Sequence, residues 1–221
     1  MMDLLKDVEP AAAARHISQM SRQGYEPGAF VLDFDDISTD VFFIDAGAVR
    51  VVVRNAGGRE VILGDLGAGE LFGEMAAIDE QPRSANITAL HRSQVTRMSG
   101  PAFRAMATEE PLVALRVMRV LTARIRLGNE RLLELATLPL KFRLYAELLR
   151  QSRPRPGGPE RVISPPPLQH VLAARIGGRR EAVSRAMADL IRRGRVRRTP
   201  TALVIADPAS LRAELDRELR G

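Results

Sequence analysis

Glu74 and Arg83 stand nine positions apart in Phe72-Gly73-Glu74-Met75-Ala76-Ala77-Ile78 followed by Pro82-Arg83-Ser84-Ala85. Glycine before the glutamate lets backbone N–H groups approach a ligand closely. A short helix starting there offers free N–H groups and a positive dipole end to an anion. Arg83 adds a planar, permanently charged fork for phosphate oxygens, and Glu74 can accept a hydrogen bond from a sugar hydroxyl. Together they form a candidate receptor for a ribose with an attached phosphate. The competing reading is a surface ion pair on a turn, worth about 0–1 kcal/mol.

A second set of chemically apt residues lies near the C-terminus: Arg179, Arg180, Glu181, Ser184 and Arg185, then Arg197 and Arg198. Arginine can take guanine O6 and N7 with both arms of its fork, and glutamate can accept from cytosine N4. The competing reading is a solvated arginine face, or salt bridges to Glu181.

Elements must position both sets. Residues 1–22 read as a short helical lead-in, and Tyr25-Glu26-Pro27-Gly28 as a turn. Short β-rich runs follow at Phe30–Leu32, Val41–Ile44, Val49–Val53, Val61–Leu63, Ile87 and Val95, punctuated by glycine turns at Gly47, Gly57, Gly67 and Gly69. This spacing predicts a compact β sandwich or barrel, with a hairpin tip at Asn55–Gly58. After Pro101 the pattern becomes helical: a short helix over Pro101–Met106, then a long one from Pro111 to about Thr137. Met118, Leu121, Ile125, Gly128, Leu132 and Leu135 alternate spacings of three and four along it, a heptad seam suited to a two-helix dimer contact. A further helix over residues 139–150 carries Leu140, Leu144, Leu148 and Leu149, and Ser152–Pro159 reads as a flexible loop. Helices over Leu168–Arg175 and Arg179–Arg193 flank Ile176-Gly177-Gly178, with Val183, Met187, Leu190 and Ile191 expected on the buried face. That is helix-turn-helix grammar. Arg195 to Ile205 reads as a two-stranded basic wing able to meet phosphates.

Charge divides along the chain. Residues 1–138 hold 15 basic against 19 acidic residues, and residues 139–221 hold 18 against 8. A small, strongly basic second half is the electrostatic footprint of nucleic-acid binding. With no cysteine, disulfides and thiolate-bound iron–sulfur clusters are excluded. The acidic start lacks the apolar core of a signal peptide, and no run of about 18 apolar residues occurs, so a cytoplasmic chain with no membrane partner is expected.

The Phe-Gly-Glu opening, apolar middle and Pro-Arg-Ser-Ala close resemble the phosphate-binding cassette of cyclic-nucleotide-binding domains. The order of β runs, long helix, helix-turn-helix and wing resembles, along nearly the full length, the CRP/FNR family of bacterial transcription regulators. The resemblance implies an α+β architecture with an N-terminal β-roll of the cyclic-nucleotide-binding type over residues 1–110. It adds a long dimerisation helix over 111–138 and a C-terminal winged helix-turn-helix over 139–221. It implies that Glu74 binds the ribose 2′-OH, that Arg83 binds the cyclic phosphate with help from Ser84, and that Phe72, Gly73 and Met75 complete the cassette. Positions midway along the long helix that contact the base in relatives are here Gly128 and Asn129. Gly128 has no side-chain donor and Asn129 has both a donor and an acceptor, which leaves cAMP, cGMP or another cyclic nucleotide open. In the family an Arg-Glu-x-x-x-Arg set reads DNA, here Arg180, Glu181 and Arg185.

The expectation is therefore a non-enzymatic homodimer that binds a pseudo-palindromic site in double-stranded DNA under cyclic-nucleotide control, with RNA polymerase as a further partner. No metal or haem is expected; only His16, His91 and His170 offer an axial ligand. The alternatives are a constitutive or differently liganded DNA-binding regulator, a sensor acting on a protein partner, and a nucleotide hydrolase. The last lacks a metal cluster and a nucleophile–base constellation in the sequence.

Overall fold

The computed structural model describes residues 4–55 and 57–220. Ala56, within the expected hairpin tip, lies outside the described residues, as do residues 1–3 and 221. The chain divides into two compact units, Met1–Ile125 and Arg126–Gly221.

The first unit opens with α1 (Pro10–Ile17), whose first turn is capped by Glu9, its carboxylate accepting from the Ala12 N–H at 2.9 Å. The strands are β1 (Ser21–Tyr25), β2 (Phe30–Leu32), β3 (Val41–Ala46), β4 (Ala48–Arg54), β5 (Glu60–Gly67) and β6 (Leu71–Phe72). After helix α2 (Glu74–Asp79) come β7 (Asn86–Ala89) and β8 (Ser93–Met98). They form two antiparallel sheets, ordered β1-β8-β3-β6 and β2-β7-β4-β5. Val41-Phe42-Phe43-Ile44 is uninterruptedly apolar because β3 is covered on both faces. Phe42 and Ile44 join Leu32, Val49, Phe72, Ile87 and Val95 in one core, while Val41 and Phe43 join Met98, Phe103, Met106, Val113 and Val117 in another. The second core brings in α3 (Gly100–Glu109) and the start of α4 (Pro111–Thr137).

β1 was not expected. Ser21-Arg22-Gln23-Gly24-Tyr25 lacks apolar alternation, yet it pairs with β8 from Ser21 opposite Arg97 to Tyr25 opposite Ser93. It lies at the sheet edge with Ser21 to Gly24 exposed, so ladder hydrogen bonds rather than burial define it. The short helix expected at Pro101–Met106 extends through Glu109.

The second unit takes α4 from Arg126, then α5 (Leu140–Gln151), β9 (Arg153–Pro154), β10 (Arg161–Ile163), α6 (Gln169–Arg175) and α7 (Arg180–Arg192). β11 (Val196–Arg198), β12 (Leu203–Ile205) and α8 (Pro208–Arg220) complete it. Its sheet is ordered β11-β12-β10-β9, so the basic wing is backed by further strands, and part of the expected loop at Ser152–Pro159 pairs with β10. Leu144, Leu148, Leu172, Val183, Leu190, Ile205 and Leu211 form the centre of its core. Ile191, expected to be buried, is exposed. The buried stripe of α7 runs Val183, Met187, Leu190, and Ile191 falls one residue beyond it. α8 was not among the expected elements, although Leu211 and Leu215 sit one turn apart and are both buried.

Candidate functional site

Gly73 caps α2 with φ +81, and a Cβ there would lie 2.7 Å from the Asp40 carbonyl oxygen and 2.9 Å from Arg83 Nη1. Only glycine fits both the left-handed backbone and that space. The turn delivers Glu74 as the first residue of α2, 3% exposed. A carboxylate so buried needs a cation, and Arg124 of α4 provides it: Nη1 lies 2.6 Å from Glu74 Oε1, and Nη2 donates to the Leu71 carbonyl. Nothing in the sequence pattern links Arg124 to Glu74. No local spacing signals a partner fifty residues away.

Arg83 is equally buried. Its Nε donates to Ser38 Oγ at 3.1 Å, Nη1 to the Gly73 carbonyl at 2.8 Å and Nη2 to the Asp40 carbonyl at 2.8 Å. The backbone around it is clamped too: Arg83 N–H donates to the Asp36 carbonyl and Asp35 N–H to the Arg83 carbonyl. Burial pulls the guanidinium pKa down, while Asp36, Asp40 and Glu74 oppose that shift. Asp36 is held below the usual carboxylate range, chiefly by the Ser38 backbone N–H. A guanidinium carries five N–H donors, so the three protein bonds leave one free N–H on each terminal nitrogen.

Ser84 and Met75 are exposed beside them, with Ser84 Oγ 3.7 Å from Met75 Sδ. Phe72 turns its ring away, stacked on Phe42 with centroids 5.0 Å apart inside the inter-sheet core. Its side chain is therefore core, and only its main chain is available to the cassette. Gly128 and Asn129 are exposed on α4 within the second unit, and a Cβ at Gly128 meets nothing within 4 Å.

The helix-turn-helix owes its turn to two glycines. Gly177 has φ +63, and its Cβ would sit 2.9 Å from Leu135 Cδ2; a Cβ on Gly178 would sit 2.6 Å from Leu140 Cδ1. Arg179, Arg180, Glu181 and Arg185 are exposed at the start of α7. Ser184 is half-buried and lines a cleft of about 120 Å³ with Gln169, Met187 and Arg198. Arg197 pairs with Glu160, which also takes Arg155, and these two hydrogen bonds hold the Glu160 carboxyl below its ordinary range. Arg197 must leave Glu160, or share it, to meet a phosphate.

Comparison with known proteins bears on both sites. Residues 22–110 match the cyclic nucleotide-binding domain, and residues 142–214 match the Crp-like helix-turn-helix domain. The cyclic AMP receptor protein of Thermus thermophilus is 31% identical over 211 residues, covering 94% of each chain. The CRP-like cAMP-activated global transcriptional regulator of Mycobacterium tuberculosis is 28% identical over the same length and coverage. A CooA variant from Carboxydothermus hydrogenoformans shares the fold with a TM-score of 0.81 at 19% identity, covering 97% of this chain and 94% of that one.

Proposed function

Because the chain belongs to the CRP/FNR family of DNA-binding transcription regulators with a cyclic nucleotide-binding domain, we propose that it is a homodimer whose DNA binding is controlled by cAMP or cGMP. The observation that carries the reading is the Gly73 turn, which buries Glu74 at the start of α2 while its carbonyl accepts from the buried Arg83 guanidinium. Glu74, held by Arg124, accepts the ribose 2′-OH. The two remaining N–H groups of Arg83 take the cyclic phosphate, and Ser84 adds a hydroxyl. Asn129 is the candidate base contact.

Dimerisation is supported by the outward face of α4, where Met118, Ile125, Leu132 and Leu135 are exposed. An apolar row at this heptad spacing is suited to burial against a second helix. Twofold pairing of α7 implies a pseudo-palindrome with half-sites about one helical turn, roughly 34 Å, apart. Arg180, Glu181 and Arg185 read bases; Arg179, Ser184, Arg197 and Arg198 hold the backbone. RNA polymerase is the further partner of a regulator of this design. A nucleotide can shift DNA affinity only by its differential affinity for the two states.

Selection of bound duplexes from a random pool, with and without cAMP or cGMP, tests the reading. It predicts a palindromic consensus enriched strongly only with nucleotide. Enrichment of the same consensus without nucleotide would favour a constitutive regulator, a second reading drawn from the three protein bonds that Arg83 already makes.

A further inference from the structure

Glu147 lies on α5, is 1% exposed, and takes no part in the recognition described above. Arg150 Nη1 donates to its Oε2 at 2.5 Å and Gln151 Nε2 to its Oε1 at 2.6 Å. Arg175 Nη1, at the end of α6, lies 3.5 Å from Oε1, and Arg131 Nη2, on α4, lies 3.8 Å from Oε2. Arg150 also pairs with Glu134 of α4. Guanidiniums from α4, α5 and α6 thus converge on one buried carboxylate, all inside the second unit.

A buried ion cluster adds little stability over apolar packing of the same volume, and its best-attested use is to select one geometry. Burial pulls the Arg131 guanidinium down; Arg150 and Arg175 repel it further, and Glu147 opposes both effects. Without Glu147, Glu134 is left to offset the cations that three helices bring together. α5 and α6 have other ties, including Arg143 Nη1 donating to the Ile176 carbonyl at 2.7 Å. α4 is tied to α5 by the Arg150–Glu134 pair, whereas toward α6 Leu135 packs over Gly177, a contact that is non-directional and permits sliding.

We propose that Glu147 is a positioning residue that locks the last turns of α4 to α6, so that α7, which follows α6, keeps one setting against the end of α4. The purpose of the lock rests on the regulator reading above; the lock itself does not.

The chain has no cysteine, so Ala136→Cys on α4 and Arg192→Cys on α7 allow two spin labels to be placed cleanly in the full-length protein, diluted with unlabelled chain. Pulsed dipolar spectroscopy should give one narrow distance, and adding Glu147→Gln should at least double its width. Glu147→Gln alone should bind cAMP or cGMP within about twofold of the parent and lose at least tenfold of the nucleotide effect on DNA affinity. A parent-like narrow distance in Glu147→Gln overturns the proposal, whether or not its melting temperature falls. A parent protein whose DNA affinity ignores both nucleotides overturns the regulator reading instead, and the distance width still decides the lock. Should Glu147→Gln fail to fold, Arg175→Met, which leaves Glu147 its bonds to Arg150 and Gln151, should show the same broadening; an unchanged width there overturns the proposal.

Discussion

Arg83 does two jobs that pull against each other. Its guanidinium ties the Asp36–Asp40 loop to the Gly73 turn through Ser38, Asp40 and Gly73, and it is also the proposed anchor for a phosphate. Truncating it to alanine therefore confounds binding with stability, since each buried acceptor left unpaired costs about 1–3 kcal/mol. Arg83→Lys separates the two. Lysine keeps the charge but not the fork, so nucleotide affinity measured by calorimetry should fall at least tenfold while the far-UV circular dichroism spectrum stays that of the parent. Affinity equal to the parent would remove Arg83 from the phosphate site. Gly73→Ala is expected to do more damage, because the new methyl group meets Asp40 and Arg83 within 3 Å in a left-handed backbone. Thermal unfolding should register a loss of more than about 1 kcal/mol. At this scale the sequence was informative where chemistry is local: Gly73, Glu74 and Arg83 lie within one short segment, and Arg83 bonds back to the Gly73 carbonyl. It was silent on Arg124 and Ser38, which reach the same corner from distant elements, and it did not reveal that Phe72 belongs to the core.

The long helix and the recognition helix carry the next set of expectations. Ile125 and Leu132 are 62% and 65% exposed, and both fall on the seam read from the heptad pattern. Leu121, on the same seam, packs instead against the first unit's core, so the row is shared between intrachain and outward faces. Leu132→Glu should shift the protein from dimer to monomer in analytical ultracentrifugation at micromolar concentration, with little change in helix content; a dimer as tight as the parent would place the contact elsewhere. On α7, Arg180→Ala should relax base preference at one position per half-site and cost about 1–3 kcal/mol, whereas Arg198→Ala should weaken all sequences alike and reduce the salt slope by about 1. Equal losses on cognate and random duplexes for Arg180→Ala would show that α7 is read in the wrong register. Element types were legible where an apolar period was long and flanked by turn residues, although α8, as long as α7, was not among the expected elements. α4 and α7 follow from their apolar spacing, while β1, β9 and β10 are too short or too polar to announce themselves and exist only through pairing.

At the scale of the whole molecule, charge is divided between an acidic first part of the chain and a basic second part, and the basic part carries the Crp-like helix-turn-helix domain. Within the second unit, Gly177 lies under Leu135 of α4 and Gly178 under Leu140 of α5, while Glu147 draws in Arg131 of α4 and Arg175 of α6. What the nucleotide does at Glu74 and Arg83 matters only if it binds, and binding is the premise of everything downstream. The decisive measurement is calorimetric titration of purified, nucleotide-free protein with cAMP and with cGMP. Saturable heat near one nucleotide per protomer is predicted, with the tighter ligand identifying the base that Asn129 prefers. No heat with either nucleotide at two temperatures would contradict the account and leave a DNA-binding regulator whose cassette is structural.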